Sequence, residues 1–256
     1  MSEEPEEKLA EGTLISHLLE LRTRLMRAAV AWVIALIPCA YYQNALFNFV
    51  AQPILHKLPP GTKLIATGVM SPFMTPFKLS MFVAIFAAMP FILYQIWAFV
   101  APGLYRHERR FAVPLLVSSV VLFYTGMAFA YKFVFPVMFQ FFAKTTPVGV
   151  TMMTDITNYL DFVLTMFFAF GVAFEVPIAV VLLVITGLVS LEKLKSNRGY
   201  VLIGIFCIAA ILTPPDAISM TIMAVPMYGL YEGGLIMARI MLKMRREHEQ
   251  EAAKAG

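Results

Sequence analysis

Phe162-Val-Leu-Thr-Met-Phe-Phe-Ala-Phe-Gly-Val-Ala-Phe-Glu175-Val-Pro177-Ile-Ala-Val-Val-Leu-Leu-Val-Ile-Thr186 is the stretch that decides the fold class of this chain. Glu175 is its one ionisable side chain. The run exceeds the roughly 18 residues at which an apolar stretch reads as a membrane-spanning helix. Working outward, comparable runs occupy Met26–Tyr42, Phe77–Phe99 and Phe111–Phe133 before it, and Tyr200–Leu212 and Ala217–Ile236 after it. Of the 256 residues, 60% are hydrophobic and 14% charged, and the mean hydropathy is +0.76. A soluble domain carries about a quarter charged residues. The expected fold is therefore an all-α membrane protein with six transmembrane helices.

The connections alternate in charge. Lys8, Arg22, Arg24 and Arg27 lead into the first run, and Arg106, Arg109 and Arg110 separate the second from the third. Lys193, Lys195 and Arg198 separate the fourth from the fifth, and Arg239, Lys243, Arg245, Arg246 and Lys254 follow the sixth. Of the 20 basic residues only Lys57, Lys63, Lys78, Lys132 and Lys144 lie elsewhere. By the positive-inside rule the dense set is cytoplasmic, so both termini are expected inside. The net charge of +4 then points to the lipid bilayer surface and to proteins as partners, with no nucleic acid. The acidic start Met1-Ser-Glu-Glu-Pro-Glu-Glu7 has no basic or apolar leader region. A bacterial (or archaeal) cell membrane is the expected location. Cys39 and Cys207, inside apolar runs and without a CxxC pair, read as inert thiols.

Two connections on the opposite side are long. From Gln43 to Pro76, prolines at 53, 59, 60, 72 and 76 alternate with Phe47, Phe49, Ile54 and Phe73. That mixture predicts a structured cap on the membrane, with Pro53 and Phe73 as candidate cap or partner residues. In the second, from Ala143 onward, Asp161 is the expected N-cap of the fourth span. Tyr200–Leu212 would rise only about 20 Å at 1.5 Å per residue, against a hydrocarbon core of about 30 Å. Thr213-Pro-Pro-Asp216 then turns the chain, with Asp216 as the turn candidate, and the sixth run carries Pro226 and soon meets Glu232. With cationic segments on one side at both ends, a short hairpin fits better than a re-entrant pair. Helices this short deform or thin the surrounding bilayer.

No HExxH, Gly-x-Ser-x-Gly, Walker loop or Cys/His metal spacing occurs. His17, His56, His107 and His248 are scattered, so no catalytic residue, cofactor or metal is expected. On a helix from Thr13, its expected N-cap, to Arg27, one face carries Leu14, Leu18, Leu21 and Leu25. Another carries His17, Glu20, Arg24 and Arg27. A Glu20–Arg24 pair would contribute only about 0.2–0.5 kcal/mol, too little to stop an external cation from competing. Glu108, in Tyr105-Arg-His-Glu108-Arg-Arg110, precedes the third span, where a carboxylate also favours a helix N-terminus. If Glu20 and Glu108 were adjacent, they could grip two guanidinium groups bidentately. Glu175 is the costliest residue. It is either an intramembrane functional group or a hydrogen-bonded structural one, and Pro177 frees a carbonyl beside it.

Five segments together resemble the TatC family, the core subunits of twin-arginine protein translocases. They are His17-Leu-Leu-Glu20-Leu-Arg22-Thr-Arg24-Leu, Ser71-Pro-Phe-Met-Thr-Pro76-Phe-Lys78, the stretch from Tyr94-Gln-Ile-Trp97 through Pro102 to Glu108-Arg109-Arg110, Phe170-Gly-Val-Ala-Phe-Glu175-Val-Pro177, and Leu212-Thr-Pro-Pro-Asp216. They lie in order from about 14 to 240. The resemblance implies a single membrane domain over 1–240, cup-shaped, with short fifth and sixth helices, followed by a basic cytoplasmic tail at 241–256 without fixed structure. It implies recognition of signal peptides bearing paired arginines, by Glu20 and Glu108 with Arg22, Arg24 and Phe99 nearby. It also implies work in multiple copies with TatA and TatB to export folded proteins on the proton gradient. Glu175 would face the concave side, and the fifth-span region would dock partners. Met220 stands where some members carry a polar residue, which weakens a polar partner contact there.

Two other readings differ in class. A proton-coupled small-solute transporter would use Glu175, but such folds pair broken spans in two matching halves, and here the short hairpin occurs once. An intramembrane enzyme lacks a nucleophile or metal set.

Overall fold

A computed structural model describes the backbone of residues 4–55, 63–100, 112–145, 153–213 and 216–255, and it is almost wholly helical. In order, the elements are α1 (Glu4–Tyr41), α2 (Gln43–Leu55), β1 (Lys63–Ile65), α3 (Ser71–Val100) and α4 (Ala112–Phe129). A π-helical turn (Ala130–Val134) leads into α5 (Phe135–Thr145), followed by β2 (Met153–Asp155), α6 (Ile156–Ala173) and α7 (Val176–Ile185). The chain ends with α8 (Leu191–Ser196), α9 (Arg198–Leu212) and α10 (Ala217–Ala255). Among the described residues four stretches are long and apolar enough to cross a membrane: Ile15–Tyr41, Ser71–Phe99, Val113–Phe142 and Ile156–Ile185. The fifth, α9, has 15 residues. The apolar opening of α10, before Glu232, supplies the sixth.

Several boundaries differ from those read in the sequence. Thr13 is inside α1, which begins at Glu4. The segment Glu4-Pro-Glu-Glu7 is itself a good helix start, with proline and carboxylates in the first turn. The third span runs past Phe133 because the π turn absorbs Lys132 without ending the helix. α10 continues to Ala255, so residues 241–255 of the 241–256 tail expected to lack structure are helical. Its Met, Lys, Arg, Glu and Ala are strong helix formers, and Lys243 lies 3.7 Å from Glu247 one turn on.

Packing divides the chain into two compact units, 1–52 with 73–120, and 53–72 with 121–256. In the first unit, the Trp32 indole on α1 donates to the Met81 carbonyl at 3.1 Å. The buried Trp97 indole on α3 donates to Ser119 Oγ on α4 at 3.0 Å. These two bonds give the aromatic N–H groups the partners they need in an apolar setting.

The second unit holds a continuous core of Phe135, Met138, Val163, Met166, Phe170 and Met223, all almost fully buried. Helices approach closely where glycine permits it. A Cβ on Gly234 of α10 would lie 2.8 Å from Pro177 Cα on α7, and small residues at such crossings are how membrane helices gain van der Waals contact. On the connection side, β1 and β2 pair in parallel, with Ile65 opposite Asp155.

Candidate functional site

The N-terminal motif forms on one face of α1. Arg24 places Nε 2.9 Å and Nη2 2.5 Å from Glu20 Oε1, so both contacts fall on a single carboxylate oxygen. The pair is the i,i+4 arrangement expected from spacing, and it is partly buried. One turn before Glu20, the His17 ring lies 4.6 Å from the Phe99 ring at the end of α3. The structure thus brings Glu20, Arg24, His17 and Phe99 to one end of the α1–α3 pair. Arg22, two residues from Arg24 and so on a different helix face, borders a groove between α1 and α3. Glu108 lies outside the described residues, as do Arg106, Arg109 and Arg110.

Glu175 sits at a break. α6 ends at Ala173 and α7 begins at Val176, with Pro177 in the new first turn. The Glu175 N–H bonds the Val172 carbonyl at 3.0 Å, and its own carbonyl accepts from Ala179 N at 2.9 Å. Pro177 has no N–H to offer Ala173, so the ladder tightens by one residue here and restarts. The side chain is half-buried, with Oε1 fully enclosed. Beside the break an apolar recess of about 390 Å³ is walled by Phe129, Phe174, Pro177, Gly229 and Gly233.

The cap and turn candidates separate. Pro53 lies in α2, with its side chain outside the description. Phe73 is exposed and stacks in parallel on Phe77 at 6.5 Å. Asp216 accepts from Ser219 N at 2.7 Å and caps α10. That backbone bond holds its carboxyl below the usual carboxylate range. Met220, on α10, packs against the core of the second unit.

Asp161 is not the cap of the fourth span; Asp155 is. Asp155 Oδ1 accepts from Thr157 N at 2.8 Å and Asn158 N at 3.2 Å. Its Oδ2 accepts from Thr67 Oγ1 at 2.6 Å and Thr67 N at 2.9 Å. The Thr67 hydroxyl, then its N–H, draw the Asp155 carboxyl well below the ordinary range. Asp161 lies inside α6 because Ile156 already has helical geometry.

Sequence reasoning also missed a clasp at the other end of this unit. Arg198 Nη2 meets Glu232 Oε2 at 2.7 Å, the Tyr228 hydroxyl donates to Glu232 Oε1 at 3.0 Å, and the Tyr231 hydroxyl donates to the Leu194 carbonyl at 2.9 Å. The available signal was a lone acid in the sixth run on the same side as the 193–198 cations. Among the described residues no cluster of His, Cys, Asp and Glu could hold a metal ion.

The model of the TatC family, described as Sec-independent protein translocase protein (TatC), matches residues 16–226. A Sec-independent protein translocase protein TatC of Azotobacter chroococcum is 52% identical over 244 residues, covering 95% of this chain and 94% of that one. One from Escherichia coli K12 is 50% identical over 237 residues, covering 93% and 92%. A crystal structure titled as the twin arginine translocase receptor TatC superposes with TM-score 0.79 at 36% identity, over 88% of this chain and 98% of that one.

Proposed function

The chain belongs to the TatC family of Sec-independent protein translocase proteins, and from that premise we propose that it is the signal-peptide receptor of a twin-arginine translocase. It is a multi-pass membrane protein of a transport family, not an enzyme. In this reading paired arginines of a signal peptide dock at the cytoplasmic end of α1 and α3. Glu20 and Glu108 receive them, with Arg22, Arg24 and Phe99 alongside. The carrying observation is the His17–Phe99 contact, which gathers the N-terminal motif and the end of α3 at one place.

The Glu20–Arg24 pair gives the site a resting state. An incoming guanidinium competes for a carboxylate whose intrahelical partner contributes only about 0.2–0.5 kcal/mol. A bidentate charge-assisted bond contributes more, about 1.5–3 kcal/mol. The receptor would assemble in several copies with TatA and TatB in a bacterial inner membrane, both termini cytoplasmic, and export folded proteins on the proton motive force. Glu175, at a helix break, would present a polar group on the membrane-embedded side. The 15-residue α9 favours local bilayer thinning around the passage of a large cargo.

The test is photocrosslinking of a paired-arginine signal peptide to the full chain in membranes. Glu20→Ala and Glu108→Ala should each cut capture about 10- to 100-fold, the equivalent of one charge-assisted bond. Normal capture by both variants overturns the site. Solute uptake by the purified chain alone, abolished in Glu175→Gln, would establish the transporter reading in its place.

A further inference from the structure

The groove between α1 and α3 has a volume of about 780 Å³ and combines two chemistries. Its walls are apolar, with Met26, Val30 and Ile34 from α1 and Ala87, Ala88 and Phe91 from α3. Arg22 borders it near the end where His17 meets Phe99, and Arg27 lies about half-way along its α1 wall. On α1 it runs from Leu19 to Ala35, about 24 Å at 1.5 Å per residue. Both arginines are exposed. Among the described residues neither has a carboxylate within ion-pair reach, since Glu20 is engaged by Arg24. Thr23, between them, returns its hydroxyl to the Leu19 carbonyl.

A long apolar trough with two cations along the half nearer His17 and Phe99 matches an amphiphile with an anionic head and hydrocarbon tails. That half is also the one that the positive-inside rule assigns to the cytoplasmic side, where anionic headgroups attract basic residues at the membrane surface. Guanidinium groups bind phosphate oxygens in forked geometry. We infer that this groove is a binding site for one anionic phospholipid of the cytoplasmic leaflet, its phosphate held by Arg22 and Arg27 and an acyl chain laid against Ala31, Ala87 and Ala88. The apolar helix of a partner lacks the head group that two cations without an ion pair among the described residues call for. A zwitterionic lipid carries its own ammonium against them. The inference goes beyond the receptor reading and needs no signal peptide.

The experiment is native mass spectrometry of the full chain in mild detergent with equimolar phosphatidylglycerol and phosphatidylcholine. Wild type should retain phosphatidylglycerol at least tenfold over phosphatidylcholine through stepwise activation. Arg27→Gln should reduce that preference about tenfold, Arg27→Lys should restore part of it, and Ala31→Phe should displace the lipid by filling the trough. Thermal unfolding of each variant checks that it is folded. Should Ala31→Phe fail that check, the exposed Arg27 variants decide the matter alone. Equal retention of the two lipids by wild type overturns the inference, as does wild-type retention in Arg27→Gln.

Discussion

The two compact units place their charges by opposite means. In the first, Glu20 meets Arg24 four residues away on the same helix, and the exposed cations Arg22 and Arg27 border a groove. In the second, Asp155 reaches back to Thr67, Arg198 reaches forward to Glu232, and Gly126 and Gly171 let helices touch. The first unit keeps Glu20, Arg22, Arg24 and Arg27 exposed or paired only within one helix. The second spends its polar groups on holding a packed core around a broken helix. In the proposed reading, binding and rigidity fall to different stretches of one chain.

The largest test of that contrast is Gly126→Val. A Cβ at Gly126 would overlap the backbone carbonyl of Phe170, which cannot swing aside as a flexible side chain could. Overpacking of this kind costs about 1–3 kcal/mol or more. The matching enlargement in the first unit, Ala29→Val on an exposed stretch of α1, should stay within about 0.5 kcal/mol. Chemical unfolding in the same detergent measures both. Equal effects would abolish the distinction.

Next comes Asp155→Asn, which should lower the thermal midpoint less than Gly126→Val does. The sign of its pH dependence is fixed. Asp155 has a depressed folded-state pKa, so its contribution is full above the unfolded value near about 4 and is lost as pH falls below it. The difference between wild type and Asp155→Asn should be flat from neutral pH to about 5 and shrink below about 4. A difference that grows on acidification would place the clasp elsewhere.

What the sequence disclosed follows the same division. Apolar runs report spans because lipid imposes a length, and the i,i+4 rule gave Glu20–Arg24 because both residues lie on one turn. The TatC resemblance rested on motifs and survived comparison. Asp161 was misplaced as a cap because two acids follow the same loop, and local spacing cannot tell which reaches Thr67, 88 residues away in sequence. The Arg198–Glu232 contact spans 34 residues, and the β1–β2 pairing joins three-residue strands from distant loops. Short strands carry no periodicity to read. Glu175 was visible as an anomaly and Pro177 as the source of a kink, and the hydrogen bonds on each side show how the helix breaks there.

The Arg198–Glu232 clasp should be worth less than the packing it accompanies. Its side chains are 45% and 28% exposed, so solvent screens the pair. A double-mutant cycle with Arg198→Gln and Glu232→Gln should return a coupling of about 0.2–1 kcal/mol. A coupling above about 2 kcal/mol would mean that the start of α9 is held to α10 by that pair more than by its apolar face.

The smallest effect on stability belongs to Glu20, and there the contrast is sharpest. Glu20→Ala removes one partly exposed i,i+4 pair and should cost only about 0.2–0.5 kcal/mol in unfolding. Capture of a paired-arginine peptide should nonetheless fall about 10- to 100-fold, because a cationic ligand loses a charge-assisted bond to a carboxylate. Arg24→Gln should act differently at this point of the site. It leaves Glu20 without its resting competitor, so its effect on stability is as small, while any loss of capture is less than that of Glu20→Ala. Unfolding and crosslinking measured on the same membranes separate the two quantities. If both variants lost stability and capture in parallel, Glu20–Arg24 would be a strut of the first unit and not a carboxylate held ready for exchange.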